Sequence, residues 1–209
     1  MGSMRIGRKH LGFGALILLL TFVVPSRADW EGGKRAYDEG DYATAVKELK
    51  PLAEKGNAEA QALLGLMFEL GRGLPRDSGQ AFKWYKAAAE QGNADGEFHL
   101  GIIYRNGVGV PKDAAQGLKW LKLSAAQGQP DAYLMLGMAC LNVQDAPRDV
   151  VQADMWLHLA AARGEPLAAR LPAKVERQMT PDQIAKAKAL AAVWQAKVAS
   201  RSHEKEKVH

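Results

Sequence analysis

Apolar residues are distributed in two different ways along these 209 residues. From Leu11 to Val24 they form a nearly unbroken run, with Leu16, Ile17, Leu18, Leu19 and Leu20 consecutive. Fourteen residues make a helix of about 21 Å at roughly 1.5 Å per residue, short of a bilayer's hydrocarbon thickness. Beyond Asp29 the apolar residues instead recur in short helical stretches separated by Gly- and Pro-bearing turns. That pattern predicts many short amphipathic helices and no long buried span.

Self-comparison organises those stretches. Residues 57–92, 93–128 and 129–164 align without a gap as three blocks of 36 residues. Identical columns include Leu64/Leu100/Leu136, Gly65/Gly101/Gly137, Pro75/Pro111/Pro147, Asp77/Asp113/Asp149, Gln80/Gln116/Gln152, Trp84/Trp120/Trp156 and Gly92/Gly128/Gly164. Asn57, Asn93 and Gln129 stand where a first helix should begin, Gln129 helped by Pro130 at the first helical position. Gly65, Gly101 and Gly137 fall mid-helix, where glycine costs about 1 kcal/mol relative to alanine. A cost repeated three times predicts close approach of the partner helix's backbone. Gly71 and Gly107 end the first helix, and Asp77, Asp113 and Asp149 cap the second. With Gln three residues on, each reads as a capping box. The Trp column and the alanines after it predict a large-and-small packing face. The unit is a helix–turn–helix hairpin with helices of about 13 residues, which must stack on copies of itself to bury its apolar face.

The stretch from Leu100 to Gly128 reads Leu-Gly-x-x-Tyr-x-x-Gly-x-Gly-Val-x-x-Asp and continues through Trp120 and Ala125 to Gly128. It resembles the Sel1-like repeat, a relative of the tetratricopeptide repeat. The resemblance implies an all-α, right-handed α-solenoid that acts as a protein-interaction scaffold, adaptor or regulator. Repeat three departs from it: Val143 and Asp145 replace the loop glycines, and Cys140 replaces the aromatic of Phe68 and Tyr104. Residues 29–56 resemble a tetratricopeptide-like half that caps the N-terminal end. Residues 165–199 read as C-terminal capping helices. The first of these runs from Pro166 to Arg177 and is disturbed by Pro172. The second opens at Thr180-Pro181-Asp182-Gln183 and carries Ile184, Ala187, Ala191, Trp194 and Val198 on one stripe. Residues 200–209 are read as a frayed tail.

Charge refines the destination. The formal charge is +5 from 28 basic and 23 acidic groups. Arg5, Arg8, Lys9 and Arg27 precede or follow the apolar run, Pro25 breaks it, and Ser26-Arg27-Ala28 supplies small residues at a cleavage site. Residues 1–28 therefore read as a secretory signal cut between Ala28 and Asp29, the alternative being an uncleaved membrane anchor. The remaining chain carries 24 basic and 23 acidic groups, or +1. Residues 29–164 hold 15 basic and 18 acidic groups, and 165–209 hold 9 and 5. A neutral-to-acidic solenoid makes a poor phosphate track, which argues against nucleic acid. The basic end fits at most a weak contact with an anionic envelope surface. The expected location is periplasmic or secreted.

Chemistry is sparse. Cys140 is the single cysteine, so no intramolecular disulfide exists, and its column places it in the core. His99 shares a column with Leu63 and Met135 and should rest against a helix face. His158 replaces Lys86 and Lys122 and should face solvent. Neither has a second histidine at i+3 or i+4, so no metal site, cofactor or catalytic residue is assigned. Ser202-x-x-Lys205 falls in the tail without helical pocket context. In tetratricopeptide-like superhelices the first helices line the concave face. That analogy points to Phe98, Ile102, Leu134 and Met138 as an apolar strip beside Arg105, Asn106 and Asn142, able to hold an extended peptide or partner helix. The alternative is that these side chains meet each other or the C-terminal helix. The other functional class, a cell-wall-related hydrolase or penicillin-binding enzyme, has no acid/base or nucleophile constellation behind it.

Overall fold

The computed structural model describes residues 29–142 and 148–206, with side chains through Arg201. Residues 1–28, where a secretory signal is expected, Val143 and Asp145, and residues 207–209 lie outside the described residues. Two helices, α1 (Trp30–Asp38) and α2 (Tyr42–Glu54), form the N-terminal half. Three hairpins follow: α3 (Ala58–Leu70) with α4 (Ser78–Glu90), α5 (Ala94–Asn106) with α6 (Ala114–Ala125), and α7 (Pro130–Leu141) with α8 (Val150–Ala162). A 3-10 turn (Pro166–Arg170), a short α9 (Leu171–Glu176) and a long α10 (Pro181–Glu206) complete the chain. Each helix up to α8 packs on its predecessor and successor, and α10 packs on α8. The molecule is an α-solenoid closed by a terminal helix.

The caps explain where the helices start. Asn57 and Asn93 side chains accept from the N–H groups of Ala60 (2.7 Å) and Gly96 (2.9 Å), while Gln129 makes no such bond and relies on Pro130. Asp77, Asp113 and Asp149 accept from the N–H groups of Gln80, Gln116 and Gln152 at 2.9–3.0 Å. The expected capping boxes are only half made. The reciprocal donor, the Asp backbone N–H, is taken by a carbonyl nine residues earlier: Asp77 to Phe68 (3.0 Å), Asp113 to Tyr104 (2.7 Å), Asp149 to Cys140 (3.0 Å). A complete box occurs at Thr180 and Gln183, which exchange bonds of 2.9 and 3.2 Å.

Gly71 and Gly107 end α3 and α5 with φ of 69° and 72°, left-handed conformations that glycine adopts without strain. Repeat three lacks that glycine, and α7 stops one residue sooner, with Asn142 extended at its end. The mid-helix glycines meet side chains of the partner helix and, in the second repeat, its backbone as well. A Cβ at Gly65, Gly101 or Gly137 would sit 2.8 Å from the side chain of Tyr85, Leu121 or Leu157 respectively. The nearest neighbour is thus a side chain of the partner helix, the residue after the repeated Trp. The expected backbone approach is also made in the second repeat, where a Cβ at Gly101 would lie 3.1 Å from the Gly117 carbonyl oxygen. Tyr85, Leu121 and Leu157 are each fully buried. Trp84 and Trp120 are only half-buried, so the aromatic column flanks the core in the first two repeats.

Polar staples tie the stack. Gln91 Nε2 donates to Gln61 Oε1 (2.7 Å) and Gln127 Nε2 to Glu97 Oε2 (2.9 Å), while Arg163 lies over the Tyr133 ring at 5.9 Å. The same two columns meet each time. Gln127 and Arg163 also donate to the carbonyls of Gly92 and Gly128, which close the preceding repeats.

Two boundaries at the C-terminal end differ from the sequence reading. The helix expected over 166–177 is split into the 3-10 turn and α9. Pro172 has no N–H and its ring would collide with a carbonyl four residues back, so an α-helix can only restart around it. The tail expected to fray from Ser200 is helical to Glu206 as the last turns of α10. Val198 is buried, holding these turns to the body. Among the described residues no helix is long and apolar enough to cross a membrane.

Candidate functional site

An open cavity of about 330 Å³ lies between the alternate helices α1, α3 and α5. The apolar contribution is Ala62, Leu63 and Leu66 from α3, where helical spacing puts all three on one side. Helix α1 adds Trp30, Lys34, Tyr37 and Asp38, and the start of α5 adds Asp95 and His99 beside its cap Asn93. Glu59 completes the lining. Lys34 pairs with Asp38 one turn away. That leaves the carboxylates of Glu59 and Asp95 without a lysine or arginine in the lining, although Asp95 accepts from Gln129 Nε2 at 2.6 Å.

His99 is held firmly. Its ring stacks on Tyr85 with centroids 4.4 Å apart and planes 6° from parallel. Its Nδ1 lies 3.5 Å from Glu69 Oε2, which also accepts from the Tyr85 hydroxyl at 2.6 Å. Burial lowers the His99 pKa below the ordinary imidazole range, with Glu69 and Asp95 opposing, so the ring is neutral at pH 7. Burial, then the bond and charge of Glu69, push the Tyr85 phenol far above its usual range, so it stays a donor. The cavity therefore offers aromatic and aliphatic walls, a neutral imidazole and an excess of negative charge. It fits an apolar side chain adjoining a cationic group.

The seven residues expected to line the groove fall elsewhere. Leu134 is corrected outright: at 3% exposed it belongs to the core with Tyr133, Leu136 and Trp156, and no partner reaches it. Phe98 and Ile102 are half-buried against that same core. Met138 is 45% exposed and Asn106 is exposed, whereas Asn142 is half-buried at the end of α7. Arg105 reaches Met135, with Nη1 3.9 Å from Sδ. None of the seven lines the cavity, which sits one repeat nearer the N-terminus. Ala62 and Leu66 do line it, and they are the first-repeat members of the Phe98 and Ile102 columns. Sequence reasoning missed Trp30, Lys34 and Tyr37 because α1 lies outside the repeats. The available signal was the seven-residue spacing of Trp30 and Tyr37, two turns along one helix face.

Two single-residue expectations also change. Cys140 is half-buried at the margin of the core, and its thiol pKa is raised by burial and by Asp149. His158 does not face solvent: it is half-buried, with Nδ1 3.0 Å from the Asp154 carbonyl and Nε2 3.7 Å from Glu176 Oε1. Asp154, His158 and Glu176 form a cluster that the sequence reading, which assigned no metal ligands, did not anticipate. It lies at the C-terminal end and contributes nothing to the cavity lining.

The family comparisons agree with this architecture. A model of the Sel1 repeat matches residues 58–93, 94–129 and 130–165. No curated protein matches the sequence. A crystal structure of a Sel1 repeat protein from Oxalobacter formigenes is 30% identical with a TM-score of 0.61, over 67% of this chain and 56% of that one. The crystal structure of c5321, a protective antigen present in uropathogenic Escherichia coli strains and displaying an SLR fold, is 31% identical with a TM-score of 0.66. That match covers 82% of this chain and 37% of that one, so this chain spans well under two thirds of either relative's length. With three consecutive repeat matches over more than half its residues and solved relatives at 30% and 31% identity, the chain belongs to the Sel1 repeat family.

Proposed function

We propose that this protein is an exported interaction scaffold that holds an extended segment of another protein across α1, α3 and α5. Sel1 repeat proteins are in general protein-interaction scaffolds. The observation that carries the reading is the cavity, where Leu63 and Leu66 border Trp30 and Tyr37 beside the carboxylates of Glu59 and Asp95. Its chemistry selects a segment with an apolar side chain next to Lys or Arg, whose charge the carboxylates attract and whose stem the aromatic rings cover. Phe98, Ile102 and Met138 continue the Ala62 and Leu66 columns, and with Arg105, Asn106 and Asn142 they are proposed as a secondary surface for a longer segment. Export rests on the basic, apolar and small-residue order of residues 1–28.

Site-specific photo-crosslinking in cells tests this. A photoreactive residue at Leu63 should give a discrete adduct with one protein, and Asp95→Lys should abolish it. The same probe at Lys83, exposed on α4 outside the cavity, should give none. Equal adducts from both positions, or none from Leu63, would sink the proposal.

A further inference from the structure

The cluster at the other end carries an independent inference. Asp154 stands in a column occupied by Phe82 and Leu118 in the first two repeats, so an acid replaces a packing residue. Its side chain is 0% exposed, and neither carboxylate oxygen accepts a hydrogen bond. Burying a carboxylate with no hydrogen bond and only the His158 imidazole beside it is costly, and burial raises its pKa; a bound cation would offset that cost. His158 follows four residues on, one helical turn along the same face of α8, and Glu176 is the last residue of α9. One ligand atom from each of the three lies within 4.8 Å of the others.

We propose that Asp154, His158 and Glu176 bind a first-row divalent cation, Zn²⁺ by ligand set, that pins the terminal cap to the last repeat. The imidazole is oriented for it. Nδ1 lies 3.2 Å from Asp154 Oδ1 and 3.0 Å from the Asp154 carbonyl oxygen, two acceptors that favour the tautomer protonated at Nδ1. Nε2 then presents its lone pair on the side of Glu176 Oε1, 3.7 Å away. One imidazole and two carboxylates suit Zn²⁺ rather than Mg²⁺, which prefers oxygen and retains its waters. Ligand atoms at about 2.0–2.2 Å from a tetrahedral ion stand roughly 3.3–3.6 Å apart, so atoms that lie within 4.8 Å of one another close by at most about 1.5 Å, through rotation of the His158 and Glu176 side chains. Without metal, Lys188 of α10 supplies the positive charge, its Nζ 3.0 Å from Glu176 Oε1. Metal binding displaces that ammonium and joins α8 to α9 directly.

The test is calorimetric titration and thermal unfolding of the untagged protein with ZnCl₂, with MgCl₂ as control. Zn²⁺ should bind and raise Tm, and Mg²⁺ should do neither. Glu176→Gln and His158→Gln should each weaken Zn²⁺ at least tenfold. Asp154→Leu restores the residue of the second repeat, so it should fold by circular dichroism yet show no Zn²⁺-dependent rise in Tm. Absence of binding, an equal response to Mg²⁺, or a Zn²⁺ response surviving in all three variants overturns the proposal. The last result would place the metal on other histidines or on Cys140.

Discussion

The first two hairpins and the third carry the same tryptophan in the same column, yet the residue lives in different surroundings. Trp84 and Trp120 are half-buried, whereas Trp156 is 5% exposed. The difference comes from what lies beyond the second helix. Helices α4 and α6 bury one face, while α8 also meets α10, whose Trp194 stands edge-on to Trp156 at 4.8 Å. Tyr133 stacks against the same ring at 5.9 Å from inside the hairpin. A repeat column thus fixes direction along the helix, and the position of the repeat in the stack fixes environment. The last repeat needs a second covered face, and α10 supplies it.

The largest test of this contrast is a pair of truncations. Trp156→Ala should cost about 3–5 kcal/mol, as for a buried aromatic, and Trp84→Ala about 1–2 kcal/mol. Urea midpoints measure both, and equal losses would erase the distinction. A smaller effect separates column from context in the other direction. Gly101→Val and Gly137→Val should each cost about 1–3 kcal/mol, because the added carbon lands 2.8 Å from Leu121 or Leu157 in both repeats alike. A loss at only one position would show that the hairpins are not equivalent inside. The smallest effect is a pH response confined to the second repeat, where His99 occupies the column of Met135. Burial depresses the His99 pKa, so below an ordinary pKa of about 6.5 the unfolded chain takes up a proton that the folded chain resists. Stability should therefore be full above about pH 6.5 and decline as pH falls toward the lowered value. The decline between pH 6.5 and 5.5 should be shallower in His99→Gln, and an unchanged slope would remove His99 from the account.

Repetition made most of the fold legible. Asn57, Asp77 and their equivalents announce helix starts because a cap needs only local sequence, and the hairpins follow from their spacing. What the sequence hid depends on contacts between unlike segments. The cavity needs α1, which no repeat column predicts, and the cluster needs Glu176, carried by a segment that Pro172 breaks away from helical periodicity. Leu134 shows the converse error. Its column faces the cavity at Ala62, but near the capped end the same position is sealed by neighbouring large side chains.

The bond from each Asp77-type N–H to a carbonyl nine residues back has a consequence for change over time. It clasps the two helices at the mouth of the connector, at 3.0, 2.7 and 3.0 Å in the three hairpins, using backbone atoms alone. Connector composition can then drift while its length is held. The third hairpin already shows this, keeping the Asp149–Cys140 clasp after both loop glycines were replaced. The third connector, whose sequence has already lost both glycines, is therefore the natural place to graft a foreign sequence of equal length; the first is not, because a Cβ at Gly73 would lie 2.6 Å from the Tyr42 carbonyl oxygen.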